Sequence, residues 1–429
     1  MPKIPMTINR NNLLDRFLRY AEIGTQSDRH RADAQTPSTE EQWKLIRLLE
    51  AELKSLGVPW VEVTEYGFLI ARIDSNLKTI PARVGITEPP AIAFIAHVDT
   101  ASDVPGDPVT PVVHENYSGE RIELTPHAVL DPAVQPRLLR YKEDTIITSD
   151  GTTLLGADDK AGVAELISAA QYLVQHPELP HGILEFIFTP DEETGKGMER
   201  FPFDRVKSRI AYTLDGDGEG TVEYECFHAY RAAVRCTGVG AHLGYARGKM
   251  VNAVSMAASF VSFLPRSESP EATDGRFGYY CPLELEGNTT QAQIDIFLRD
   301  YELEEIQRRI QTLEAIGRAV EAAFPGGKVE IVTEKQYLNM RDAFSKDSRI
   351  VGFLDEAIRD TGIEPVHTSI RGGTDGARLS EMGIPTPNMF SGGSDFHSLI
   401  EWVPLSAMVR AAETVIHLVR RWAEAGEID

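Results

Sequence analysis

The sequence predicts an α/β protein whose sheet lies between helices, with a smaller α+β unit inserted into the chain. Its length of 429 residues exceeds what one ordinary hydrophobic core supports, so two domains are expected. Residues 91–99 form a continuous apolar run that ends in His97-Val98-Asp99, which is typical of a strand covered on both faces. Residues 291–300 alternate between apolar and polar side chains, which predicts a strand with one apolar face.

Composition and charge narrow the class of function. Hydrophobic residues make up 42% of the chain, as in globular proteins, and no apolar run is long enough for a transmembrane helix. The net charge of −22 argues against nucleic acid or an anionic membrane as a partner. The first residues lack the apolar core of a signal peptide, and Cys226, Cys236 and Cys281 form no Cys-x-x-Cys pair. We therefore expect a cytoplasmic protein with reduced, structural cysteines.

The first part of the chain is predicted to form most of the main domain. Ser38 and Glu41 resemble a capping box, which predicts a helix that begins after Ser38 and ends at Gly57. The stretch from 101 to 150 is rich in Pro, Gly and charged residues, and is interpreted as irregular apart from a small hairpin around 145–148. Apolar patterns predict strands near residues 61–63, 68–71, 183–188 and 210–214, and a helix over residues 163–174.

The apolar pattern changes after about Glu225 and returns near residue 337. Between these points the order is β-α-β-α-β, which predicts a compact two-layer α+β domain at residues 226–336. Its predicted strands are residues 230–239, 291–300 and 328–333, and its helices are residues 250–264 and 301–324. Beyond it, residues 337–429 resume the first pattern, with helices at 350–360 and 406–423 and a strand at 388–390.

Acidic and imidazole side chains come near the ends of several predicted strands. Glu192 and Glu193 lie in the turn after residues 183–188, and His97 and Asp99 project to the same side of their strand. A site in an open α/β sheet forms beyond the carboxyl ends of the strands, so such side chains can converge. The residues with this placement that suit a metal ion are His97, Asp158, Glu193, Asp215 and His397.

Three carboxylates and two imidazoles suit zinc, cobalt or manganese better than calcium. Two metal ions that share one bridging carboxylate would activate a water molecule and stabilise a tetrahedral intermediate. Spacing alone leaves structural interpretations open. The adjacent glutamates could be a solvated turn, the His-x-Asp pair could be structural, and the acids near Asp158 could cap a helix.

Four motifs together resemble the peptidase T family, which is the tripeptide aminopeptidase branch of the di-zinc exopeptidases that include carboxypeptidase G and aminoacylase. The motifs are Ala96-His97-Val98-Asp99-Thr100, Leu154-Leu155-Gly156-Ala157-Asp158-Asp159-Lys160-Ala161-Gly162, Thr189-Pro190-Asp191-Glu192-Glu193 and Arg371-Gly372-Gly373-Thr374-Asp375-Gly376. The resemblance runs over nearly the whole chain. It implies a zinc-exopeptidase-like catalytic domain with a mixed sheet between helices, in residues 1–225 and 337–429, and a lid domain in residues 226–336.

The resemblance also implies the metal chemistry. Two zinc ions would be bound by His97, Asp158, Glu193, Asp215 and His397, with cobalt or manganese as substitutes. Asp158 would bridge the two ions, with a cis peptide bond to Asp159. Asp99 would orient His97 from behind. Glu192 would be the general base that takes a proton from the attacking water.

Substrate contacts are implied by three further matches. His242 would help to stabilise the oxyanion, and Arg299 and Arg371 would bind the substrate carboxylate. The expected activity is release of the N-terminal residue of short peptides, tripeptides above all, and a homodimer is left open. The alternatives are a metal-dependent amidase acting on N-acyl amino acids and a non-catalytic peptide-binding protein, although a binder has no need of Glu192.

The sequence departs from the family pattern beside the site. The family usually has His-Pro-Gly where this chain has His242-Leu243-Gly244. Before its last histidine, His397, this chain has Gly393-Ser394-Asp395-Phe396 where the family typically has Tyr-Asn-Tyr. The residues after His397, Ser398-Leu399-Ile400, also differ from the family pattern. None of these differences removes a ligand, so they bear on substrate length preference and leave the metal chemistry intact.

Overall fold

The structure, a computed structural model, describes residues 7–77 and 89–425. The chain forms two compact units: the larger comprises Met1–Tyr224, Ala343–Thr368 and Thr374–Asp429, and the smaller Glu225–Asp342 and Ser369–Gly373. Residues 337–342 and 369–373, which the sequence analysis placed in the catalytic domain, belong to the smaller unit. The first six residues, which enter the signal-peptide prediction, lie outside the described residues.

The helices account for the longest amphipathic patterns of the sequence. They are α1 (Arg10–Ala21), α2 (Glu40–Ser55), α3 (Ala157–Gln175), α4 (Ala253–Ser262), α5 (Leu303–Ala323), α6 (Arg349–Asp360), α7 (Asp375–Glu381) and α8 (Leu405–Ala425). Within the described ranges, no helix combines the length and the apolar character needed to cross a membrane.

The strands differ widely in length. They are β1 (Trp60–Val63), β2 (Leu69–Ile73), β3 (Ile92–His97), β4 (Pro111–His114), β5 (Ile122–Thr125), β6 (Ala128–Leu130), β7 (Ile146–Ser149), β8 (Leu184–Thr189), β9 (Ile210–Gly216), β10 (Thr221–Cys226), β11 (His228–Thr237), β12 (Tyr279–Gly287), β13 (Gln291–Asp300), β14 (Lys328–Tyr337), β15 (Val366–Ile370), β16 (Asn388–Phe390) and β17 (Trp402–Pro404). They form sheets of eight, four, three and two strands.

The eight-stranded sheet is mixed, in the order β1-β2-β8-β3-β9-β16-β10-β15. Its central strands β8, β3, β9 and β16 run parallel, so their carboxyl ends lie at one edge. Every residue of β3 and β8 is buried, as their continuous apolar sequences predict. On one face Phe94 stacks with Phe186 and Tyr212, while on the other Ala93 and Ile95 join a separate apolar cluster.

Residues 101–150 are more regular than predicted. β4 and β17 pair with β7 on its two sides, and β5 pairs with β6 in a separate hairpin. The prediction of an irregular segment was wrong because these strands have only three or four residues each. One partner of β7 also lies more than 250 residues away in sequence, at Trp402–Pro404, which no local pattern shows.

The predicted capping box at Ser38 was also wrong. The residue that precedes α2 is Thr39, and its side chain makes no capping hydrogen bond. The Ser38 hydroxyl instead donates to Asp191 Oδ1 at 2.5 Å, and Glu41 lies 3.4 Å from the Lys44 ammonium group. A long-range acceptor therefore competes successfully with the local cap, and it connects the start of α2 to the turn that carries Glu192 and Glu193.

The smaller unit is a four-stranded antiparallel sheet, ordered β12-β13-β11-β14, with α4 and α5 packed on one face. The apolar residues of β13 that face these helices are buried, as their alternation predicts: Ala292, Ile294, Ile296 and Leu298. β12, an edge strand whose pairing shifts near Pro282, was not predicted from the sequence. Proline cannot donate to a sheet and is common on edge strands, which explains the weak signal. The three cysteines are free, as predicted.

Candidate metal centre

The parallel strands bring several polar side chains to the same edge of the large sheet. His97 is the last residue of β3 and pairs in register with Thr189, the last residue of β8. The turn that carries Glu192 and Glu193 begins two residues after Thr189. Asp215 lies near the end of the neighbouring strand β9, which is parallel to β3. The side chains therefore converge because their strands are adjacent and parallel.

Asp158 lies between two imidazoles. Its Oδ1 is 2.9 Å from His97 Nε2, and its Oδ2 is 3.2 Å from His397 Nε2. The backbone around it departs from the helix that follows: Gly156 has a left-handed φ of 77°, and the Asp158–Asp159 peptide bond is cis, as the family resemblance implies. Each carboxylate oxygen of Asp158 thus faces a different histidine.

Each histidine has a second carboxylate beside it. Asp215 Oδ1 is 3.4 Å from His97 Nε2, and Glu193 Oε1 is 3.1 Å from His397 Nε2. The five residues predicted as metal ligands are therefore brought together, as two His-carboxylate pairs joined by Asp158. Two sets of donor atoms in this region are close enough to hold an ion: His97 with Asp158 and Glu193, and His97 with Asp159 and Asp215.

Asp159 belongs to one of those sets, but its carboxylate is already used. Its Oδ2 accepts a hydrogen bond from the backbone N–H of His97 at 3.1 Å, and its Oδ1 accepts one from Gly162 at 3.2 Å. Asp159 therefore connects β3 to the start of α3. Asp158, whose oxygens face imidazoles and no backbone donor, is the better ligand of the two.

The hydrogen-bond pattern of His97 fits a cation at its other nitrogen. Nδ1 lies 3.1 Å from the backbone carbonyl oxygen of Asp99, an acceptor, so Nδ1 carries the proton. Nε2 then points a lone pair at the oxygens of Asp158 and Asp215, which are also acceptors. This arrangement is repulsive unless a proton or a metal ion lies between them, so the residues fit the implied metal.

Glu193 gives a second indication. Its Oε1 is buried and makes no hydrogen bond of good geometry to any described residue, although His397 Nε2 is only 3.1 Å away. A carboxylate oxygen and an imidazole nitrogen that approach without a proper hydrogen bond suit a shared metal ion better than a direct contact.

Asp99 has a broader role than predicted. Its carboxylate lies 3.4 Å from His97 Nδ1, but the backbone carbonyl of Asp99 is closer to that nitrogen. The two oxygens of Asp99 accept hydrogen bonds from the backbone N–H groups of Glu192 and Glu193, at 3.0 and 3.1 Å. Asp99 therefore fixes the turn that carries both glutamates as well as the ring of His97.

The same turn is held from its other side by Asp191. This residue has a left-handed φ of 58°, a conformation that needs support in a non-glycine residue. Its buried carboxylate accepts hydrogen bonds from the Ser38 backbone and hydroxyl and from the Gln42 amide, which lies 2.7 Å away. Gln42 also accepts from the Asp191 N–H. The turn is thus determined on both sides by long-range contacts.

The electrostatics show an excess of negative charge. Burial, with the charge of Asp158 adding to it, raises the pKa of Glu193 to about 7. Burial, followed by the charge of Asp215, raises the pKa of Glu192 well above its usual range. Burial alone would lower the pKa of His397, but the adjacent carboxylates of Asp158 and Glu193 outweigh burial and raise it to about 11. The site therefore favours positive charge, which protons or bound cations can supply.

His397 lies in a loop closed by mutual backbone hydrogen bonds between Ser394 and Trp402. Its φ is 57°, and its Nδ1 lies 3.3 Å from the exposed carboxylate of Asp103. Asp103 was not singled out by the sequence analysis. A carboxylate beside the second ring nitrogen of a histidine can orient the ring for metal binding.

The other predicted site residues belong to the smaller unit. His242 is exposed, and its Nδ1 accepts a hydrogen bond from the N–H of Gly244 at 3.2 Å. Arg299 is buried against Phe297 and donates to the carbonyl oxygen of Leu298. Arg371 donates to Gly275 and Thr273, and lies over the rings of Phe227 and Tyr279.

Two buried acids near the centre were also missed. Asp375 accepts a hydrogen bond at 2.6 Å from Thr189, the residue paired with His97. Glu401 accepts hydrogen bonds from the backbone of the segment that carries Asp158. The available signal for Glu401 was a single acid between Ile400 and Trp402, since a lone charge in an apolar run indicates a buried, hydrogen-bonded carboxylate.

Comparison with known sequences identifies the class of protein. The sequence model of peptidase family M20/M25/M40 matches residues 155–421, which is more than half of the chain. The chain therefore belongs to this family. It is similar to Peptidase T of Clostridium perfringens (strain 13 / Type A), with 41% identity over 410 residues, which cover 96% of this chain and 98% of that protein. This similarity and the family match confirm the resemblance to the peptidase T family. They also confirm the predicted enzyme class, a metallo-aminopeptidase.

Solved structures agree with the fold. A tripeptidase from Staphylococcus aureus subsp. aureus mu50 superimposes with a TM-score of 0.75 at 21% identity, covering 97% of this chain and 100% of that one. The YXEP protein of Bacillus subtilis, described as a dinuclear metal-binding peptidase of the M20 family, gives 0.61 at 15% identity, covering 97% and 98%. The predicted α/β fold with a mixed sheet is confirmed.

Proposed function

We propose that this chain releases the N-terminal residue of tripeptides, with two metal ions bound by His97, Asp158, Glu193, Asp215 and His397. The observation that carries the proposal is the placement of Asp158, whose two oxygens face two different imidazoles. His97 and Asp215 would hold one ion, His397 and Glu193 would hold the other, and Asp158 would be shared between them.

Zinc is the proposed metal, with cobalt or manganese as substitutes, because the donors are imidazole nitrogens and carboxylate oxygens. The description of the Bacillus subtilis structure as dinuclear supports a pair of ions. When bound, such ions polarise the scissile carbonyl and lower the pKa of an attacking water.

The protein side chains would perform the proton transfers. Glu192 would take a proton from the attacking water and deliver it to the leaving amine. Burial, followed by the charge of Asp215, raises the pKa of Glu192 above that of an ordinary carboxylate. Asp99 would keep Glu192 in place, because its carboxylate accepts a hydrogen bond from the backbone N–H of Glu192.

The smaller unit would supply substrate contacts. His242 would stabilise the oxyanion, while Arg299 and Arg371 would bind the carboxylate of the peptide. Because these residues belong to the smaller unit, we propose that catalysis requires closure of the lid domain or a histidine lent by a partner subunit in a homodimer. We also propose that the enzyme works in the cytoplasm on short peptides, which the free cysteines support.

The test of this function is hydrolysis of a tripeptide by the metal-supplemented protein, with an N-acetylated amino acid and an N-acetylated tripeptide as controls. Cleavage of the free tripeptide alone is expected. Cleavage of the acetylated amino acid would make the protein an amidase. Tripeptide binding without cleavage by a protein that holds both ions would make it a binding protein.

The lid histidine can be tested separately. His242→Ala should lower kcat by about 10²–10³-fold, which is the usual effect of removing one oxyanion donor, and should leave the metal content unchanged. His127→Ala is the matched control, because both histidines are exposed and His127 lies outside the site. Normal turnover in the His242 variant would remove this residue from the mechanism.

A further inference from the structure

Glu401 is a buried carboxylate with three backbone donors. Its side chain is only 1% exposed and lies just before β17. Oε2 accepts hydrogen bonds from the N–H groups of Leu155 and Gly156, both at 2.8 Å, and Oε1 accepts one from the N–H of Asp158 at 3.0 Å. These hydrogen bonds use both oxygens of Glu401 and span up to 246 residues of sequence.

The three donors belong to the segment that presents Asp158. This segment begins at the left-handed Gly156, and although α3 starts at Ala157, the backbone angles of Asp158 and Asp159 are not helical. Its N–H groups therefore have no helical acceptors, and a buried N–H without an acceptor is costly. Glu401 supplies those acceptors. Its hydrogen bond with the N–H of Asp158 holds the backbone from which the Asp158 side chain projects.

Glu401 also belongs to the loop that carries His397. That loop is closed at Ser394 and Trp402, and the Glu401 N–H donates to the carbonyl of Ser398. One side chain thus connects the segment of Asp158 to the loop of His397. Across this connection Asp158 Oδ2 and His397 Nε2 lie 3.2 Å apart.

We propose that Glu401 is a positioning residue that sets the distance between Asp158 and His397 before a metal ion binds. The inference rests on the proposed role of these two residues as metal ligands. Its physical reason is that a site with fixed ligands pays less ordering entropy when the ion arrives. Residues that hold a metal ligand in place without touching the metal typically contribute about 10–100-fold to metal affinity.

The experiment compares two variants, Glu401→Gln and Glu185→Gln. Glutamine has one acceptor oxygen, so in either orientation of its amide at least one of the three N–H groups would face an NH2 group. Glu185 is the matched control. It is equally buried and accepts backbone hydrogen bonds from Lys207 and Ser208, but it lies near the start of β8, at the opposite end of that strand from the Glu192–Glu193 turn.

Metal affinity is measured by competition with a chelator, and stability by thermal unfolding of the metal-free proteins. Glu401→Gln should weaken zinc affinity by about 10–100-fold, while Glu185→Gln should lower the unfolding temperature and keep wild-type affinity. Wild-type affinity in Glu401→Gln, or an equal loss of affinity in both variants, would overturn the proposal.

Hydrogen exchange in the metal-free wild-type protein gives a readout that needs neither activity nor a folded variant. The amides of Leu155, Gly156 and Asp158 should exchange slowly without metal, because Glu401 already holds them. Fast exchange that becomes slow only after zinc is added would overturn the proposal. If the wild type binds zinc but cleaves no peptide, the proposed function fails while the role of Glu401 is still decided by affinity and exchange.

Discussion

Replacing Glu192 by glutamine should lower kcat for tripeptide hydrolysis by about 10²–10⁴-fold while both metal ions stay bound. Glutamine keeps the shape of the side chain and removes its basicity, so the proton of the attacking water has no acceptor. Substrate binding should persist, because the variant loses an interaction that matters in the transition state. Stopped-flow or steady-state kinetics beside metal analysis would measure both quantities on the same sample.

The neighbouring residue provides the control. Glu193→Gln alters a proposed ligand, so this variant should lose one ion on dialysis and recover part of its activity when excess zinc is added. The two substitutions are chemically identical and one residue apart, which removes most general effects on stability. If Glu192→Gln loses metal and Glu193→Gln keeps both ions, the roles of the two glutamates are reversed.

The second large effect is expected at Asp158. In Asp158→Asn, one of the two positions that face the imidazoles becomes an NH2 group, which cannot bind a cation, and the remaining oxygen no longer carries negative charge. Affinity for both ions should fall by more than the roughly 10–100-fold lost when a residue that only orients a ligand is replaced. Activity should fall with the metal affinity. Isothermal titration with zinc would show the loss as weaker binding at both sites.

Asp159→Asn is the matched control for that variant. The Asp159 oxygens accept hydrogen bonds from the backbone of His97 and Gly162, so its replacement should lower the unfolding temperature and leave two ions bound. Loss of metal in the Asp159 variant, with normal binding in the Asp158 variant, would show that the wrong aspartate has been assigned.

The positions of His97, Glu192, Glu193 and Asp215 could be anticipated because each lies at or near the end of an apolar strand. A continuous apolar sequence marks the end of a buried strand clearly, because polar residues begin there. Parallel neighbouring strands then place those ends at the same edge of the sheet. The pairing of Asp158 with both histidines followed from the family resemblance, since nothing local in the sequence shows which carboxylate is shared.

Long-range polar contacts could not be predicted from local patterns. Ser38 looked like a helix cap, yet it donates to Asp191 across 153 residues. Glu401 was not predicted as a site residue, yet it accepts hydrogen bonds from the backbone N–H groups of Leu155, Gly156 and Asp158. In each case a buried carboxylate far away in the sequence accepts the hydrogen bond, so no local pattern shows the partner.

Two metal ions sharing Asp158 can be observed directly in crystals of the zinc-loaded protein, with data collected on both sides of the zinc absorption edge. The anomalous difference map should show two peaks, about 3.5–4 Å apart, with one carboxylate oxygen of Asp158 directed at each. One peak should lie beside His97 and Asp215, and the other beside His397 and Glu193. A single peak, or two peaks that do not share Asp158, would contradict the proposed centre.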